Sequence, residues 1–185
     1  KVLSAGGLVQ SRQGSGLYVT GEASTFAQGT IDLSMTVDPE HILSLFEFRE
    51  ANETRVAQLA AERATPRHLK LLKEAVKGSR NAATDEDPVL FRSSDEAFHQ
   101  TLADAAQNPF FYAAIGSILR MQNLAIDTAA GRTPGSMQLA AEQHLQILEA
   151  VRDADSDAAR TAMQEHLATT RENYRQEMRR ALEKL

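Results

Sequence analysis

The stretch FRSSDEAFHQTLADAAQ, residues 91–107, reads as an amphipathic helix. Wound at 100° per residue, Phe91, Phe98, Leu102, Ala105 and Ala106 gather on one face. Arg92, Ser93, Glu96, Gln100 and Asp104 lie opposite. Asp95 and His99, one turn apart, interrupt the apolar stripe. Burying an unpaired carboxylate costs several kcal/mol, so Asp95 needs a partner inside the core. The stretch is one wall of a helical core that encloses something polar.

Working outward, helix starts recur with Pro at the first helical position: Asp38-Pro39, Thr65-Pro66, Asp87-Pro88 and Asn108-Pro109. Thr133 to Ser136 precedes a fifth helix, and Asp155-Ser156-Asp157 caps a sixth. The pattern predicts helices near 39–63, 66–79, 88–107, 109–130, 136–153 and 157–184. Their short connections fit an antiparallel, all-α bundle of six to seven helices over residues 38–185. Nothing in this region alternates with period two.

The start of the chain differs. Residues 1–20, KVLSAGGLVQSRQGSGLYVT, hold Lys1 and Arg12 and no acid. The whole chain carries −5, so the remainder is strongly acidic. LVQSR reads as a strand, QGSG as a tight turn and LYVT as a returning strand. A lone hairpin is marginal in water, and the segment opens mid-helix without Met. Residues 1–20 are therefore expected to be the tail of a longer domain. Residues 21–37 read as a linker whose Ile31, Leu33 and Met35 dock on the bundle.

With 42% hydrophobic residues in 185, the chain can bury a real core. It has no Cys, which excludes disulfides and thiolate metal sites and makes a reducing cytoplasm the simple expectation. No apolar run reaches the ~18 residues that span a membrane. The acidic balance argues against a general affinity for nucleic acid.

Polar residues recur on apolar faces. His144 sits among Met137, Ala140, Ile147, Leu148 and Val151, with Glu142, Gln146 and Glu149 facing away. His166 lies on the flank of the last helix's stripe, near Ala159, Ala162 and Met163. Three inward histidines on three helices, plus Asp95, match what a divalent transition metal needs: imidazole nitrogens and one charged oxygen. Zn is the first expectation, with Ni, Mn or Fe also suited. Hydrogen-bonded core histidines and an intrahelical Asp95–His99 pair are the simpler alternative. Arg49 lies at the centre of the face made by Ile42, Leu45, Val56 and Ala60. It either pairs with Glu53, four residues on, or faces a cavity and grips an anion.

These residues resemble a known family. LSAGGLVQSRQGSGLYV is similar to the end of a winged-helix DNA-binding domain of the GntR superfamily, with Leu3, Gly7, Leu8, Arg12, Gly14 and Gly16 matching its Leu-x-x-x-Gly-Leu run and Arg-x-Gly-x-Gly wing. FEFREANETRVAQLAAERA, DEAFHQTLADAAQNP, EQHLQILEAVRDAD and AARTAMQEHL resemble, in order, pieces of the FCD effector domain of its FadR subfamily. The resemblance implies a ligand-responsive transcription regulator, more often a repressor, acting as a homodimer on operator DNA, with no membrane part. It implies metal ligands at Asp95, His99, His144 and His166, and an effector-contacting arginine at Arg49 followed by Glu53. Asn52 departs from the family's usual Leu and hints at a polar group, such as a hydroxyl, on a small carboxylate effector. Asn123, inward on the fourth helix, is a further candidate contact. Lys1, Arg12, Gln13, Gly14, Ser15 and Gly16 would face DNA. The competing class is a metal-dependent hydrolase with Glu53 as general base.

Overall fold

The computed structural model describes residues 9–12, 16–19, 39–128 and 133–183. The chain divides into two units, Lys1–Thr36 and Val37–Leu185. In the first, strands β1 (Val9–Arg12) and β2 (Gly16–Val19) pair antiparallel, with Val9 opposite Val19 and Arg12 opposite Gly16. A strand pair alone does not identify a wing. The expected linker contacts of Ile31, Leu33 and Met35 lie outside the described residues.

The second unit is all-α, with six helices among the described residues: α1 (Pro39–Arg63), α2 (Pro66–Thr84), α3 (Pro88–Ala105), α4 (Pro109–Thr128), α5 (Ser136–Arg152) and α6 (Ser156–Leu182). Most starts are built as the capping residues dictate. Thr65 Oγ1 accepts the His68 amide while His68 Nδ1 accepts the Thr65 amide, a reciprocal cap. Asp87 Oδ1 accepts from Val89 and Leu90 at 3.0 Å each, Asn108 Oδ1 from Phe110 at 2.9 Å, and Asp155 Oδ1 from Ala158 at 2.9 Å. Gly135, at φ 77, leads into α5 with no side-chain cap. Helices α2, α3 and α5 are followed by left-handed residues that are not glycine: Glu86, Gln107 and Ala154.

One boundary departs from expectation. Helix α2 runs five residues past the predicted stop at 79, to Thr84. Gly78 is a packing residue, since a Cβ placed there would lie 2.5 Å from Ser94 Oγ on α3. Ala82 and Ala83 then bury against Phe91 and Ala141. The close approach of α2 and α3 requires the glycine, and tertiary burial carries the helix through it.

Helix α1 packs on α6, α2 on α3 and α5, α5 on α6, and α4 on α1 and α3. The main core joins Val56 and Ala60 of α1, Leu72 of α2, Phe98 and Leu102 of α3, Ile115 and Ile118 of α4, and Ile147 of α5. Among the described residues, helix α6 enters that core through its first half, with Ala159, Met163 and Leu167. Its second half offers Tyr174, which forms a separate small cluster with Phe46, ring centroids 5.9 Å apart. No described helix is long and apolar enough to cross a membrane.

Candidate metal and effector centre

The polar positions that interrupted four apolar faces meet in one place. Asp95 and His99 from α3, His144 from α5 and His166 from α6 each offer a ligand atom, all within 4.8 Å of one another. Ring centroids are 5.3 Å apart for His99–His144 and His99–His166, and 4.7 Å for His144–His166. Asp95 Oδ1 lies 3.8 Å from His99 Nε2 and 3.5 Å from His144 Nε2. The side chains of His99 and His144 are fully buried, while that of Asp95 retains 18% exposure, so the cluster reaches water on the aspartate side.

Each histidine is seated differently. His99 Nδ1 lies 2.5 Å from Glu53 Oε2, so a carboxylate orients the ring and leaves Nε2 facing the cluster. His166 Nδ1 lies 3.3 Å from Gln143 Oε1. His144 stacks on Phe98, centroids 4.2 Å apart and planes 17° apart, and neither of its nitrogens has a hydrogen-bond partner. Burial holds His144 well below the usual imidazole range, helped by the charges of His99 and Arg49. Burial also holds His166 well below it, helped by His144, His99 and Arg49 against an opposing pull from Glu53. Both rings are thus neutral at pH 7, the form that ligates metal.

A divalent metal fits this set. Buried imidazole nitrogens without partners are costly in hydrocarbon and are satisfied by a cation. Three nitrogens and one carboxylate oxygen suit Zn, Ni, Mn or Fe.

Arg49 lies beside the cluster, 1% exposed. Its Nε donates to Glu53 Oε1 at 2.6 Å and its Nη1 donates to Gln122 Oε1 of α4. Nη2 is buried without a hydrogen-bond partner. Arg49 therefore pairs with Glu53, four residues on, while its Nη2 is left without a hydrogen-bond partner. Burial pushes the Glu53 carboxyl up, but Arg49 and His99 outweigh it and hold the group well below the usual range.

Other candidates lie apart. Asn52 Nδ2 turns back to the Phe48 carbonyl at 2.7 Å, away from the cluster. The Asn123 side chain lies outside the described residues; its neighbour Gln122 is the α4 residue that meets Arg49. Lys1, Gln13, Gly14 and Ser15 lie outside them too, and Arg12 and Gly16 are described only as the paired strand ends. Gln122 and Gln143 escape a reading of single helices, because each is defined by a partner on another helix.

Residues 44–169 match the family model of the FCD domain. The chain belongs to the FCD family. This FCD chain, from the effector-domain family of GntR-superfamily regulators, is 28% identical over 169 residues to a regulatory protein assigned to the L-lactate dehydrogenase operon of Escherichia coli strain K12, covering 88% of this chain and 64% of that protein. It is 29% identical over 172 residues to the HTH-type transcriptional regulator LutR of Bacillus subtilis strain 168, covering 89% and 76%. Against the HTH-type transcriptional repressor NanR of Citrobacter rodentium it is 31% identical over 166 residues, covering 87% and 63%. A solved Streptococcus agalactiae GntR superposes with a TM-score of 0.70 at 27% identity, covering 92% of the FCD chain and 77% of the other. These relatives are named as transcription regulators, not as enzymes.

Proposed function

We propose that this chain is the sensing part of a homodimeric, cytoplasmic transcription repressor whose helical domain holds a divalent transition metal and responds to a small organic acid. The observation that carries the reading is the convergence of Asp95, His99, His144 and His166 from three helices, with buried nitrogens that lack partners, beside the free Nη2 of Arg49. Asp95, His99, His144 and His166 would hold the metal. When bound, it supplies a Lewis acid for a carboxylate or hydroxyl oxygen.

The chain's own residues do the rest. Arg49 Nη2 offers one charged donor to an incoming anion, and Glu53 and Gln122 keep the guanidinium from swinging away. The surrounding hydrocarbon strengthens that contact by excluding water. Charge favours a monocarboxylate: a divalent cation and Arg49 against Asp95 and Glu53 leave one positive charge to neutralise. A 2-hydroxy acid, with two adjacent oxygens, is the preferred class, and the lactate-operon name of one relative agrees with it.

Helices α1, α3, α5 and α6 all contribute to the site, so an anion that binds one arrangement better than another shifts the population between them. In the whole protein that shift would reach a winged helix, with β1 and β2 as its wing and Arg12, Gln13, Gly14, Ser15 and Gly16 (with Lys1 before it) along the DNA backbone. A hydrolase reading is weaker, because Glu53 is already held by Arg49 and His99 and is a poor general base.

Metal content after dialysis, compared between the parent chain and His144→Ala, tests the site; equal content in both would sink it. A thermal-shift screen of 2-hydroxy, aldonic and dicarboxylic acids on Zn-loaded protein tests the effector class. At a hundredfold excess over Kd, a bound acid stabilises by about 2.7 kcal/mol.

A further inference from the structure

We propose that Gln143 is a positioning residue that decides which nitrogen of His166 carries its proton, and so turns the other nitrogen, Nε2, to the cluster as a lone-pair donor. The inference rests on the metal reading above only for its consequence, since the hydrogen-bond polarity stands without a metal.

The direction of the relay is fixed from one end. The Glu165 carbonyl can only accept, and Thr169 Oγ1 donates to it at 2.9 Å. With its single proton used, Thr169 presents only lone pairs to α5. The Gln143 group 3.0 Å away must therefore be its Nε2 amide, which donates. The amide cannot flip without setting its acceptor oxygen against a hydroxyl whose proton is already used, losing this bond. Gln143 Oε1 then faces His166 Nδ1 at 3.3 Å, and an oxygen there demands an Nδ1–H. A neutral imidazole carries one proton, so with Nδ1 protonated toward Gln143 the Nε2 is left bare. One main-chain carbonyl of α6 thereby dictates the tautomer of a ring three residues before the threonine.

Gln143 is 9% exposed and His166 2%, so the contact between them is shielded from water. Glu53 Oε2 lies 2.5 Å from His99 Nδ1. No nitrogen of His99 or His144 has a hydrogen-bond partner. His166 is thus the ring of the three whose tautomer is set by a hydrogen bond. A pre-set ring lowers the reorganisation needed before a cation enters.

The test uses the full 185-residue chain in two states. In metal-free protein, two-bond ¹⁵N–¹H correlation spectra read each histidine's tautomer directly. The parent should show His166 as Nδ1–H, Gln143→Leu should move it to the Nε2–H form that a free imidazole favours, and Gln143→Glu should restore Nδ1–H. In the second state, Co(II) titrated against a competing chelator should bind about 10–100-fold more weakly to Gln143→Leu and at parental strength to Gln143→Glu. Should Gln143→Leu fail to fold, Thr169→Val, at a half-exposed position, leaves Gln143 in place but frees its amide and should give mixed His166 tautomers. An Nε2–H ring in the parent, or a tautomer unmoved by these substitutions, overturns the proposal. A parent that takes up no Co(II) while its tautomers shift as expected supports the relay and removes the metal reading instead.

Discussion

One carboxylate, that of Glu53, touches both Arg49 and His99. Removing one partner of a buried ion pair strands the other, so Arg49→Met should lower stability by roughly 3–5 kcal/mol in a urea melt. A loss under about 1 kcal/mol, the value of a surface pair, would mean that Glu53 relies on His99 alone. The acid response follows from the same side chains. His144 and His166 have folded values below the unfolded reference of 6.5, so the unfolded chain takes up protons in acid that the folded chain refuses. Their stabilisation is present above about pH 6.5 and lost as pH falls below it, by roughly 1 kcal/mol per pH unit for each ring. Glu53, also depressed, adds a loss in the same direction once pH drops below its unfolded value of 4.5. Urea midpoints of metal-free protein should therefore rise from pH 5 to pH 7, and a flat profile would contradict the buried, neutral rings. The four clustered positions were legible because a polar group on or beside an apolar stripe is conspicuous in one dimension. Gln143 was not, since a glutamine is unremarkable until a threonine on another helix fixes its orientation.

At the scale of elements, capping chemistry made the helix starts readable, and the ends were less so. Thr65→Ala should cost about 1 kcal/mol, the usual value of a lost N-cap, seen as a lower thermal midpoint. The stop placed at residue 79 fell short of Thr84; Gly78, a weak helix former near that stop, has its reason across the interface at Ser94. Gly78→Ala, which raises helix propensity, should nonetheless destabilise by about 1–3 kcal/mol through overpacking, and adding Ser94→Ala should recover part of the loss. A stabilised single variant would restore the propensity argument. Glu86, Gln107 and Ala154 carry no sequence mark of their left-handed turns, since glycine is the residue that announces them.

For the whole molecule, the bundle explains why the site needs no motif of consecutive residues. Its four clustered side chains come from α3, α5 and α6, and only burial on three separate faces marks them as members of one set. Phe98 shows how core and site share material: it is fully buried in the main core and stacked on His144. Phe98→Ala should cost roughly 3–5 kcal/mol and loosen the ring that has no hydrogen bond to hold it. Calorimetric unfolding with and without Zn separates the two effects, and an unchanged increment on metal addition would show that the stacking is idle.

Helix α6 is anchored at one end in the common core and, among the described residues, at the other by Tyr174 and Met178 against Phe46 and by Glu177 Oε1 accepting from the Thr133 amide. Its amides should accordingly exchange with deuterium along a gradient, slow through Leu167 and fast in the last turns. Zinc should deepen protection around His166 and leave the distal turns almost untouched. A bundle built this way keeps a firm centre and a soft tip on a single rod, and the soft tip is where a protease should cut first.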